Sequence, residues 1–116
     1  MRKIKFYTTP SGQQPVGDFL DRLSSKQAQK VAWVLQLVEE LDVISSQYFK
    51  KLVNTDDLWE IRVKVASDTF RFLSFFDGPR LIVVTHAFQK KRQKTPQQAI
   101  RLAEDRKRDY LRRKGK

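Results

Sequence analysis

Apolar and polar residues alternate along residues 59–65, where Trp59, Ile61, Val63 and Val65 are separated by Glu60, Arg62 and Lys64. A period of two predicts a half-buried strand with one apolar and one charged face. Residues 70–76 form a second such run, with Phe70, Phe72 and Phe76 on one side and Arg71, Leu73 and Phe75 on the other. An arginine inside so aromatic a segment needs a partner or access to water, because desolvating a charge is costly. Asp77 and Gly78, with Pro79 beside them, mark a hairpin turn. Residues 81–84 are apolar on both faces and predict a central, doubly covered strand that leads into Thr85, His86, Ala87 and Phe88.

Ahead of these runs, Ile4, Phe6 and Thr8 alternate with Lys5 and Tyr7, predicting a first strand closed by Pro10, Ser11 and Gly12. Val16, Phe19, Leu20 and Leu23 recur at helical spacing after Pro15 and predict a short helix. Ser24 and Gln27 stand in capping-box positions for a second helix reaching about residue 41. Ala28, Val31, Leu35 and Val38 form its apolar stripe, and Trp33, Val34, Leu37 and Leu41 widen it. So broad a stripe places the helix across a sheet, with Trp33 in the core and without a functional role. Residues 48–53 read as a short extended piece. At the other end, Thr95 as N-cap, Pro96 at the first helical position and Gln98 completing a capping box predict a closing helix.

At 116 residues the chain makes one domain with room for a real core. It has no cysteine and one histidine, which removes disulfides, thiolate metal sites and histidine-based zinc sites from consideration. Four glycines offer little for a backbone phosphate cradle, and no serine has a nucleophile-elbow context. No apolar run reaches membrane-span length and the first residues lack a signal-peptide core, so a cytoplasmic protein without membrane attachment is expected. The formal charge is +11, and residues 86–116 carry 12 Lys and Arg against three acids. A field so concentrated attracts polyanions, RNA or DNA first and an acidic protein next.

What remains is a set of arginines and lysines with one glutamate and one histidine among the strands. Such a set suits RNA cleavage without a metal or other cofactor. The ribose 2′-hydroxyl is its own nucleophile, so the protein has only to align it, stabilise the phosphorane and move protons. Arginines bind phosphate oxygens well. A lysine crowded by other cations has its pKa pushed down and becomes usable in proton transfer.

Lys51-Leu52, Leu58-Trp59-Glu60-Ile61-Arg62, Phe70-Arg71-Phe72 and the segment from His86-Ala87-Phe88-Gln89-Lys90-Lys91 to Lys94-Thr95-Pro96 resemble the RelE/ParE toxin superfamily, most closely its HigB-type, phage-derived branch. The resemblance spans nearly the whole chain. It implies a compact α/β (α+β) domain over residues 1–116 in the order β-α-α-β-β-β-α, with a curved, largely antiparallel sheet and helices packed on one face. It implies a type II toxin, usually a ribosome-dependent endoribonuclease, partnered by a small antitoxin that often carries a helix-turn-helix domain. Operator DNA would be bound only through the toxin–antitoxin complex.

By the same resemblance Arg71 is a phosphate-binding arginine, and Arg62 and Lys91 are further basic site residues; Arg71→Ala is expected to remove toxicity and spare the fold. Glu60 is a base or an ion-pair partner of Arg62 or Arg71. His86 is a base or a satisfied strand-end histidine, since the tyrosine of better-known relatives is missing from the end of the last strand. Lys50, Lys51, Lys64, Lys90, Arg92 and Lys94 complete the expected RNA contacts, and Lys50 and Lys51 read equally as solvated loop lysines. Two other readings stand beside the nuclease: a ParE-type poison of DNA gyrase, and an inactive nucleic-acid-binding prophage relic.

Overall fold

A computed structural model describes residues 1–90 and 94–115. The elements are β1 (Lys3–Phe6), α1 (Pro15–Asp21), α2 (Ser25–Glu40), β2 (Phe49–Lys51), β3 (Trp59–Val65), β4 (Asp68–Asp77), β5 (Leu81–Lys90) and α3 (Gln97–Lys114). The extended piece near residue 50 is a strand, one more than the expected order contains. The five strands form one open sheet in the order β1-β5-β4-β3-β2, with β1 parallel to β5 and the other pairs antiparallel. The fold is therefore α+β.

Local sequence explains most of the boundaries. Pro15 opens α1, where a missing N–H costs nothing. Ser24 and Gln27 close the capping box of α2 reciprocally. Gly78 turns β4 into β5 with a φ of 78°. Ala66 makes the β3–β4 turn with a φ of 54°, a left-handed conformation unusual for a residue with a Cβ.

The alternation of the strands feeds two cores. Ile61, Val63, Phe70, Phe72, Ile82 and Val84 meet Val16 of α1 and Val31, Val34 and Val38 of α2. On the opposite face Leu73, Phe75 and Val83 meet Tyr7, Leu58, Ala99 and Ala103. The two N-terminal helices thus share one face as expected, while α3 lies on the other, where its buried alanines permit close approach.

Much of the basic excess of α3 is used in this docking. Arg106 donates to the Thr85 carbonyl at 2.8 Å, Lys107 pairs with Asp56 and Lys114 with Asp77, while Arg112 and Arg113 pair with Asp109 within the helix itself. Tyr7 and Tyr110 donate their hydroxyls to Asp109 and Asp77. The helix start differs from the expectation. Pro96, not Thr95, occupies the N-cap, and no side chain caps the helix. Thr95 is drawn elsewhere, into the site described next.

Candidate functional site

Strand register assembles the site. Directly opposed residues of paired strands share a face. Lys50, Glu60, Leu73 and His86 form one row across β2, β3, β4 and β5. Arg62, Arg71 and Phe88 form the next row, and Lys64, Thr69 and Lys90 the one after. All lie on the α3 side of the sheet, and α3 covers the Leu73, Phe75 and Val83 portion of that face.

The position of the β5 residues depends on one extra residue. Ser74 pairs with Val84 but Leu73 pairs with His86, so Thr85 has no opposite number on β4. This bulge reverses the parity of the strand. Before it Ile82 and Val84 face α1 and α2; after it Ala87 does, and His86, Phe88 and Lys90 turn to the α3 side. Thr85 is fully buried, its hydroxyl donates to the Leu73 carbonyl at 3.2 Å, and its own carbonyl accepts from Arg106. Both bonds satisfy polar groups that the interrupted ladder leaves over.

At the centre is a buried carboxylate. Glu60 is 1% exposed and Arg71 3%. Glu60 Oε2 accepts from Arg71 Nη1 at 3.0 Å and from the Thr95 hydroxyl at 3.1 Å. Arg71 Nη1 also donates to Thr95 Oγ1 at 2.6 Å, which closes a triangle. Glu60 Oε1 accepts from Arg62 Nε and Nη2 at 3.3 and 3.2 Å. One carboxylate thus orients two guanidinium groups. The Arg62 side chain is 36% exposed and presents the outer charge of the cluster.

Lys90 stands at the rim, half-buried. Its pKa is lowered by partial desolvation and by the nearby charges of Arg71 and Arg62, with Glu60 opposing. Lys64 and Lys50 are exposed on the flanks of the rows, and Lys94 is exposed beside Thr95. Lys51 departs from the expected patch: it faces the α1 and α2 side with Phe49 and pairs with Asp57 at 3.1 Å. Lys91 and Arg92 lie outside the described residues.

His86 is half-buried and stacks on Phe88, with centroids 5.4 Å apart. Burial, helped by the charge of Arg106, lowers its pKa to about 4, so it is neutral at pH 7 and a weak base. The sign for stability follows. The unfolded chain takes up this proton near pH 6.5 and the folded chain only near 4, so the contribution is complete above 6.5 and lost as pH falls toward 4. His86→Gln is expected to flatten the loss of stability over that interval, measured by urea unfolding at stepped pH. An unchanged slope would place the acid sensitivity in other groups.

Among the described residues no group of three or more acidic or histidine side chains is gathered as a metal site, and no helix is long and apolar enough to cross a membrane. Sequence reasoning missed Thr95 as a member of the cluster, because its neighbours in the chain spell a helix start. It also misplaced Trp33, which is 46% exposed rather than in the core. Residues 18–108 match the family model described as phage derived protein Gp49-like (DUF891). No curated protein matches the chain.

Proposed function

The chain belongs to the Gp49-like phage-derived family, within the RelE/HigB-like toxin group, and from that premise we propose that it is the toxin of a toxin–antitoxin pair that cuts messenger RNA on the ribosome. The observation that carries this reading is the single buried carboxylate of Glu60, which holds Arg62 and Arg71 side by side with Lys90 at the rim. Fixed cations on one sheet face recognise the shape and phosphates of RNA, and the ribosome supplies further alignment.

In the proposed reaction the ribose O2′ forms a bond to the adjacent phosphorus as the bond from phosphorus to O5′ breaks. The products are a 2′,3′-cyclic phosphate and a 5′-hydroxyl. Arg62 faces the non-bridging oxygens, where negative charge develops. Arg71, committed to Glu60 and Thr95, adds its charge from beneath. Lys90, with its lowered pKa, is the group assigned to proton transfer, and the lost 2′-hydroxyl proton is balanced by one delivered to O5′. Glu60 acts as a positioning residue, since both of its oxygens already accept hydrogen bonds. Lys50, Lys64 and Lys94 hold flanking phosphates. The partner in this reading is a small antitoxin, with a DNA-binding helix-turn-helix domain, that blocks the cationic face.

The test is translation of a defined message in vitro with the protein present, followed by primer extension. Cleavage confined to translating ribosomes is expected. Intact message with normal translation would refute the nuclease, and a supercoiling assay would then ask whether DNA gyrase is the target.

A further inference from the structure

A second cationic surface lies on the far side of the sheet edge. Lys26, Gln29, Lys30, Lys64, Val65 and Ala66 line a cavity of about 410 Å³. Among the described residues its lining holds three lysines and no acid. Lys26, Lys30 and Trp33 fall along one stripe of α2 at helical spacing. Trp33 is 46% exposed, which is unusual for so large an apolar side chain. The Lys30 ammonium sits 4.7 Å from its ring centroid, and Tyr48 meets the ring edge-on at 6.0 Å.

The cavity and the candidate site are connected. β2 pairs only with residues 59–61 of β3, so the far half of β3 is itself a sheet edge. Lys64 stands on that edge, two residues from Arg62 and on the same face, and it also lines the cavity with Lys26 and Lys30. The left-handed turn at Ala66 forms the end of the cavity. Three lysines that converge repel one another unless an anion lies between them. A charged path beside an exposed aromatic ring has the chemistry of a single-strand nucleic-acid track, where lysines follow the phosphates and the ring takes a base.

We infer that a single strand of RNA runs from the candidate site around the free edge of β3 onto α2, its phosphates held by Lys64, Lys30 and Lys26 and a base set against Trp33. The inference rests on the RNA reading of the site and extends its footprint to the opposite face.

The test uses a labelled single-stranded oligoribonucleotide and the full chain, with fluorescence anisotropy read across a salt series. Replacing two phosphate-binding lysines in Lys26→Gln/Lys30→Gln is expected to make the slope of log K against log salt shallower by about 1.4. RNA is also expected to quench indole fluorescence in the parent, and Trp33→Phe, which retains Trp59, is expected to lose most of that quenching. Both variants alter exposed or half-exposed side chains, and circular dichroism checks that they fold. RNA that binds the parent with an equal salt slope in the double variant and with Trp33 unquenched would overturn the track and leave the site reading standing. RNA that fails to bind the parent even at low salt would overturn both. Quenching of Trp33 by poly-glutamate but not by RNA would assign the surface to an acidic protein segment, and the track would fall.

Discussion

Arg62→Ala is expected to lower message cleavage by roughly 10²–10³-fold, the usual effect of removing one donor from developing transition-state charge. The argument is geometric. Arg62 carries the outermost guanidinium of the cluster, held by two hydrogen bonds to Glu60 Oε1. Its loss removes charge where the phosphorane would form and leaves the buried pair of Glu60 with Arg71 and Thr95 in place. Glu60 Oε1 is buried and loses its Arg62 donors, but Arg62 is partly open to water, so stability should fall by about 1–3 kcal/mol, less than for loss of the fully buried partner. Primer extension in a translation reaction reads the first quantity and urea unfolding the second. Cleavage at the parent's rate by a folded variant would remove Arg62 from the site.

Arg71→Ala is expected to act on the fold as well as on activity, contrary to the sequence reading of a substitution that spares the fold. Arg71 and Glu60 are both almost fully buried. Deleting one partner of a buried pair strands the other charge and costs about 3–5 kcal/mol. Domains of this size hold only about 5–15 kcal/mol in all, so poor yield of the single variant would say nothing about chemistry. The double variant Glu60→Gln/Arg71→Met separates the two effects. Removing both charges while keeping side-chain volume should recover most of the stability, because buried pairs are often replaceable by uncharged groups. Cleavage should remain lost, since the charge beneath the phosphate is gone and Arg62 has lost its carboxylate anchor. A stable double variant that cleaves normally would show that the buried pair serves only the fold.

The corrections to the sequence reading have local causes. Thr95 carries every sign of an N-cap, yet its hydroxyl is the acceptor and donor that joins Arg71 to Glu60. A buried pair that lacks a third partner costs more than an uncapped helix end open to water, so the site takes the hydroxyl. Lys51 sits next to Lys50 in the chain and faces the other way, because a strand sends neighbours to opposite faces. The basic run of α3 reads as a nucleic-acid surface, but five of its cations bind Asp56, Asp77, Asp109 or the Thr85 carbonyl. Asp109 lies in the helix itself, but Asp56, Asp77 and the Thr85 carbonyl are distant in the chain, so local charge counting does not reveal those three partners. Trp33 fits the apolar stripe of α2 by spacing alone, and only the folded structure shows that it stays 46% exposed, against Tyr48 and Lys30.

The sequence by itself determined the strands, the two N-terminal helices and the face of β3 and β4 that carries charge. It could do so because these follow from periodicity and capping within a few residues. Tertiary structure alone decided that Thr85 bulges, that His86, Phe88 and Lys90 therefore join Arg62 and Arg71, and that Glu60 is sealed beneath them. A period-two pattern gives the face of each residue only relative to its own strand. An inserted residue reverses that assignment, and the insertion is stabilised here by Arg106, on a helix that begins after the strand has ended.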